Sequence, residues 1–413
     1  MSPLRTESKS PAPEPREWLT LLGCKKILVV VHTVAYAKRL VDVIALLESD
    51  FRIQVSFTAP PHVFGDGVPE FLAWLGGTVV TWEEAVATRF DLVLAAGPRG
   101  VEQLDAPLIT IPHGANFLKC VTGTPDDGVA GLRRRDLAPG GKLPAAVVLA
   151  HHDDLVELKR SCPEVSSVAE VIGDPVFDRI TVSLPSRGRY RQALGVAEGR
   201  KLVAVASTWG PESLFARFES LLPRLARELP SDAFKIAVLL HPNIWAKHGA
   251  WQVNAWLARC RQMGISLIAP EADWRSVLIA ADWIVGDHGS VTVYGTMTGA
   301  PIILTGSLQR EVAPGSPAAD LSLAAPVLSA MHGIAEQLAY AAAEYRRSDY
   351  QAIAARITSH PGEFAFRMRR LIYRLVGLGQ PAYPPATALL PAPPALDSWG
   401  TGSWGTGARE ASA

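Results

Sequence analysis

The chain has little of what would place it in several common classes. Its cysteines are few, Cys24, Cys120, Cys162 and Cys260, and none lies within four residues of another. That spacing excludes the paired-cysteine zinc motifs, and a chain of 413 residues can bury cores large enough to need no disulfide staples. Free thiols in a reducing compartment are the expectation. Charge of one sign is also lacking, because 40 Lys and Arg face 40 Asp and Glu. A chain so balanced has no global field to draw in nucleic acid or an anionic bilayer, so no nucleic-acid partner is expected. Short basic clusters, Arg133-Arg134-Arg135 and Arg367 to Arg370, read as solvated faces or anion contacts. Long apolar runs are missing: Ile27–Val31 is of strand length, far below a membrane span. The N-terminal stretch MSPLRTESKSPAPEPRE is polar and Pro-rich and lacks a signal peptide's apolar core. These absences point to a cytoplasmic protein without a transmembrane segment.

What is present is a regular alternation of short buried strands with helical stretches. Strands are expected at Lys26–His32, Arg52–Phe57, Thr78–Val80, Asp91–Ala95, Pro107–Ile111, Ala145–Ala150 and Val168–Ile172. A second series covers Arg200–Ala206, Phe234–Leu240, Ile265–Ile268, Ala281–Val285 and Pro301–Leu304. Strands too apolar to alternate, with helices between them, imply parallel sheets covered on both faces and joined by right-handed crossovers. The fold class is therefore α/β, with two doubly wound Rossmann-like domains facing across a cleft. Residues 1–17 read as disordered, 18–183 as the first domain, 184–378 as the second with its C-terminal helices, and 379–413 as a disordered tail.

The chemistry collects where strands end. Asp287-His288-Gly289-Ser290 follows an apolar strand and opens a helix, where unpaired N–H groups and a partial positive charge favour anions. Gly289 permits close backbone approach, and Ser290 offers a hydroxyl. Ser207-Thr208 and His241-Pro242 close two further strands of the same half. All three turns belong on one edge of one sheet, which suits a ligand with phosphates. In the first half, Ile111-Pro112-His113-Gly114 ends a strand and aims a histidine at the same crevice. His151-His152-Asp153-Asp154 invites a metal, but sequence neighbours seldom converge on one centre and no third ligand is spaced nearby, so no metal site and no cofactor are expected.

These motifs resemble the GT-B glycosyltransferase superfamily, and within it the CDP-glycerol glycerophosphotransferases that build teichoic-acid-like polymers. That family carries a His-Gly followed by Pro and Lys, and the run from Ile111 to Lys119 is similar. Its Gly-x-Pro-Arg-x-Asp segment matches Gly173, Pro175 and Asp178, with Val176 in place of Arg. Its Pro-Thr-Trp-Arg matches Thr208 and Trp209, with Ser207 and Gly210 at the ends. Its His-Pro matches His241-Pro242, and its Asp-Tyr-Ser-Ser matches Asp287 and Ser290, while the acid that follows falls near Tyr294-Gly295 and is absent. The motifs are also similar to those of the non-hydrolysing UDP-N-acetylglucosamine 2-epimerases. The resemblance implies a metal-independent transferase that moves a glycerol-phosphate or glycosyl group from a small-molecule nucleotide-diphosphate donor to an acceptor hydroxyl. His113 would be the general base and His241 a phosphate donor, with Ser207, Thr208, Asp287, His288, Gly289 and Ser290 around the nucleotide. A sugar-nucleotide epimerase and a non-catalytic GT-B-shaped binding protein are the alternatives.

Overall fold

The computed structural model describes residues 20–115, 117–121, 128–306 and 312–396; the ends expected to be disordered, 1–17 and the last part of the tail from 397, lie outside them. The first sheet is built from β1 (Lys25–Val30), β2 (Ile53–Thr58), β3 (Leu92–Ala95) and β4 (Leu108–Thr110). A small antiparallel pair follows, β5 (Cys120–Val121) with β6 (Gly128–Val129), and then β7 (Ala146–Leu149) and β8 (Ala169–Val171) return to the sheet. Its order is β2-β1-β3-β4-β7-β8, every pairing parallel. The second sheet uses β9 (Lys201–Ser207), β10 (Phe234–Leu240), β11 (Ile265–Ile268), β12 (Trp283–Gly286) and β13 (Ile302–Leu304). Its order is β11-β10-β9-β12-β13, again all parallel.

Burial on both faces explains why the strands are uniformly apolar. In β1, Ile27 and Val29 join one core cluster while Leu28 and Val30 join another on the opposite face. In β9, Leu202 and Ala204 pack on one side and Val203 and Val205 on the other. Each sheet reverses its winding beside its first strand, between β1 and β3 and between β9 and β12. In sheets of this type ligands lie outside the carboxyl ends of the strands at such switch points.

The two units are fastened by buried charge. The helix Val34–Ile44, started by the Thr33 hydroxyl accepting from the Tyr36 N–H, carries Lys38, Arg39 and Asp42 toward the second unit. Lys38 Nζ donates to the Ala272 carbonyl, and Arg275 Nη1 donates to Asp42 at 2.6 Å. Arg39 pairs with Asp174 at 3.0 Å and also donates to the Tyr294 hydroxyl, whose own proton goes to Asp174 at 2.8 Å.

Several expectations change. Thr78–Val80 is no strand of its own; Val79 makes one isolated bridge to Phe57. The long helix after β9 begins only at Phe218, after a left-handed Gly210 and a 3-10 turn at Phe215–Arg217. His151 to Asp154 start a helix: His151 Nδ1 accepts from the Asp153 N–H, and the Asp154 carboxylate accepts from the His151 N–H. The tail is structured as far as Leu396. Leu390 and Leu396 are buried, the Leu390 N–H donates to Ser183 Oγ, and the Tyr190 hydroxyl donates to the Leu390 carbonyl. Such a strap has no apolar period to reveal it, because single leucines and backbone bonds anchor it. The helix Phe364–Val376, assigned to the second unit from sequence, packs Phe364, Met368, Leu371 and Ile372 into the core of the first sheet. Asp178 holds it there, accepting from the N–H groups of Gly362 and Phe364. All four cysteines are free thiols, and among the described residues no helix is long and apolar enough to cross a membrane.

Candidate functional site

A cavity of about 470 Å³ opens between the carboxyl ends of the two sheets. Its lining includes His113, Gly114 and Lys119 from the first unit and Ser207, Thr208, His241 and Asp287 to Ser290 from the second. The residues singled out from sequence therefore converge on one space, although four separate strand ends supply them.

Asp287 is the keystone of the second-unit wall. Its side chain is buried, and its carboxylate accepts from the backbone N–H groups of Thr208 (2.8 Å), Leu214 (3.0 Å) and Gly289 (3.1 Å). It thereby ties the turn after β9 to the turn after β12. Burial raises its pKa, and those three donors act against the rise. Ser207 works inward as well: its Oγ donates to the Thr208 carbonyl at 2.8 Å and accepts from the Phe215 N–H at 2.9 Å. Asp287 and Ser207 were expected among the ligand contacts; their polar atoms are engaged in shaping the turns. Gly289 stands in extended conformation as cap of the helix Ser290–Gly295, and a Cβ there would fall 3.2 Å from both Asp287 Oδ1 and Thr208 Cβ. That helix ends at Gly295.

The walls touch through a glycine. A Cβ on Gly114 would lie 2.4 Å from Ser290 Oγ, so the His113-Gly114 turn can meet the Gly289-Ser290 turn only because residue 114 has no side chain. The Gly114 carbonyl accepts from Arg39 Nη2 at 2.8 Å, which locks the turn to the buried Arg39–Asp174–Tyr294 network.

His241 closes β10, and its Nδ1 accepts from the Asn243 N–H at 3.1 Å. That bond requires Nδ1 to be unprotonated, so the neutral ring carries its proton on Nε2. His113 stacks on Tyr36 with ring centroids 4.4 Å apart. It lines the cavity and remains exposed to solvent there, with protein atoms close around the ring. Desolvation accordingly lowers His113 to about 4, helped by Arg39 and Lys119 and opposed by a hydrogen bond to the Ala96 backbone. His241 falls to about 3 through burial, then through His113 and Lys119. His288, a buried ring, falls to about 4 through burial and Lys119. Lys119 was not among the residues singled out for a role, though it ends the His-Gly motif; its ammonium sits 5.8 Å from the centre of the Trp209 ring. Phe64 of the first unit meets Trp209 edge-on, with ring centroids 4.9 Å apart. Arg39, Asp174 and Tyr36 were also missed. Their signal was weak, since a lone Arg on an apolar helix does not announce its partners.

The four carboxylates in the lining are all engaged. Asp42 and Asp273 bind Arg275, Asp136 binds Arg133, and Asp287 binds backbone amides. Among the described residues no three His, Cys, Asp or Glu side chains are grouped to hold a metal ion.

No protein-family profile matches the sequence, and no curated protein matches it. Solved structures do. The wall teichoic acid polymerase TagF superposes with a TM-score of 0.61 at 13% identity, over 86% of this chain and 89% of that one. A variant of TagF soaked with CDPG gives 0.61 at 14% identity over the same shares. HepE from Anabaena, in complex with UDP-glucose, covers 86% of this chain and 100% of its own with a TM-score of 0.48 at 14% identity, too slight a likeness to argue from. At such identities the likeness is one of fold: two Rossmann-like units across a cleft, in the GT-B arrangement the motifs led us to expect.

Proposed function

We propose that the chain is a GT-B transferase that moves a glycerol-phosphate or glycosyl group from a nucleotide-diphosphate donor to an acceptor hydroxyl. One observation carries the reading. Among the described residues, every carboxylate that lines the cleft is paired with an arginine or held by backbone amides, whereas His113, His241, His288 and Lys119 line the same space. A cavity with its negative charges tied down and its imidazoles crowded together is suited to a polyanion, which removes the crowding penalty by pairing with them.

In this reading the donor's phosphates lie over the Thr208 and Gly289-Ser290 turns. His241 presents Nε2–H to a phosphate oxygen and stabilises charge as it grows on the leaving group. His113, neutral at pH 7, accepts the proton of the acceptor hydroxyl; the incoming anion raises its basicity toward the range such a role requires. The same engaged carboxylates support a mechanism without a metal. Substitution separates the two histidines. His241→Ala is expected to weaken nucleotide binding about ten- to a hundredfold, the effect of one charge-assisted hydrogen bond. His113→Ala is expected to leave nucleotide affinity nearly unchanged and to lower turnover about 10²- to 10⁴-fold. Calorimetry with CDP-glycerol and UDP- and GDP-sugars, paired with turnover assays, reads both. Equal affinity and equal turnover in all three proteins would refute the assignment.

A further inference from the structure

One cationic side chain in the cleft is left over once the donor site is assigned. Arg133, the first of the three consecutive arginines, lies on the first-unit side and is 9% exposed. Its guanidinium is only partly used. Nε and Nη2 fork onto Asp136 at 2.7 and 3.0 Å, and Asp136 also accepts from the Gly131 N–H at 2.9 Å. Nη1, at the other end of the group, is buried and has no hydrogen-bond partner among the described residues. A buried charged donor left unmet calls for an explanation, because native proteins rarely tolerate one.

Its surroundings supply that explanation. Arg133 and Asp136 line the same cavity as His113, together with Tyr36, Phe117 and Leu137. Tyr36 is the link. One side of its ring stacks on His113, and its phenol, pushed up to about 12 first by burial and then by the Asp136 charge, lies within reach of the Arg133–Asp136 pair. Gly131 packs closely against Phe117: its φ is +90°, and a Cβ there would fall 2.7 Å from the Phe117 ring. The first-unit wall of the cavity thus carries, in one recess, His113, Tyr36 and a guanidinium whose orientation Asp136 fixes. The recess lies on the opposite unit from the Ser207, Thr208 and Gly289-Ser290 turns.

We propose that this recess binds an oxyanion, a carboxylate or a phosphate, carried by the acceptor and held by Arg133 Nη1 while the acceptor hydroxyl lies at His113. The acceptor role rests on the transferase reading; the anion site rests on Arg133 alone. Asp136 is a positioning residue in this scheme, because it cancels one charge and leaves a directional donor that discriminates an oxyanion from a neutral alcohol.

The test uses the full chain. Glycerol 3-phosphate, glycerate and uncharged glycerol are each titrated calorimetrically, with and without saturating CDP. Both anions are expected to bind alongside CDP, and glycerol is expected to bind at least about tenfold more weakly. Arg133→Gln should weaken both anions roughly ten- to a hundredfold and leave CDP affinity within about twofold. Arg133→Lys keeps the charge opposite Asp136 but lacks the second arm, and it should show the same loss. Thermal melting checks that each variant is folded. Unchanged anion affinity in a folded variant, anions that compete with CDP, or no anion binding at all would overturn the proposal. Anion binding that depends on Arg133 in a protein that ignores CDP would overturn the donor reading and leave the recess standing. Should neither variant fold, crystals of the wild type soaked with glycerol 3-phosphate decide: the phosphate must lie within hydrogen-bond distance of Nη1, and a phosphate bound elsewhere refutes the site.

Discussion

At the scale of single residues, what is missing from a side chain matters as much as what is present. Gly114 is required because Ser290 occupies the space its Cβ would fill. Gly114→Ala should therefore cost about 1–3 kcal/mol, the usual penalty of overpacking, and should weaken nucleotide binding by parting the two turns. Replacing Ser290 with Ala in the same protein should recover most of the stability, and a double-mutant cycle by chemical denaturation reads the coupling. Additive losses would mean that the two turns do not meet. His32 tests burial in another way. It is 1% exposed, its Nε2 bonds the Arg99 carbonyl at 2.7 Å, its Nδ1 has no hydrogen-bond partner among the described residues, and desolvation lowers it from 6.5 to about 4. Between those values the unfolded chain binds more protons than the folded one, so His32 makes stability fall as the pH drops through 6.5 toward 4. The shift corresponds to roughly 3 kcal/mol, reached in full only below the lower value. His32→Gln keeps a donor for Arg99 and should lose less stability than the wild type over that range in denaturant titrations; parallel curves would contradict the burial argument.

At the scale of elements, the site depends on parts whose sequences say little about one another. The strands were legible because burial on both faces forces continuous apolar runs; Phe234–Leu240 and Ile265–Ile268 begin and end where the pattern says. The polar turns were legible too, since Gly, Ser and His after such a run have few other uses. Their division of labour was not. Nothing local distinguishes Asp287, whose carboxylate knits two turns, from a residue that faces a ligand. Nothing local shows that Arg39, Asp174 and Tyr294, from three distant elements, complete each other. The buried network is asymmetric in consequence. Tyr294→Phe removes one hydroxyl between two charges and should cost about 1–3 kcal/mol. Asp174→Ala strands a buried guanidinium and should cost about 3–5 kcal/mol. Equal losses on denaturation would show that Arg39 finds another partner.

At the scale of the whole molecule, the halves are held together from two sides. The helix Val34–Ile44 bridges the cleft with Lys38, Arg39 and Asp42, and the strap after Leu378 runs back from the helix Phe364–Val376 to the second unit. Removing everything beyond Leu378 exposes the seats of Leu390 and Leu396, each worth about 1.5–3 kcal/mol of buried surface, so the truncated chain should melt at lower temperature. An unchanged midpoint would show that the strap is passive.

The cleft's chemistry makes a sharper demand. Desolvation holds His113 and His288 at about 4 and His241 at about 3, with Lys119 adding to each and His113 adding to His241, so all three are neutral at pH 6. A diphosphate diester such as CDP-glycerol or UDP-glucose does not titrate near that pH, so any proton that accompanies its binding belongs to the protein. Calorimetric titration at pH 6 in buffers of different ionisation enthalpy counts those protons. Net uptake on binding to the wild type is the expected result, since an anion raises the pKa of the imidazoles it touches. Binding without uptake, or no binding by any nucleotide-diphosphate donor, would contradict the reading of this cleft as a nucleotide-diphosphate site.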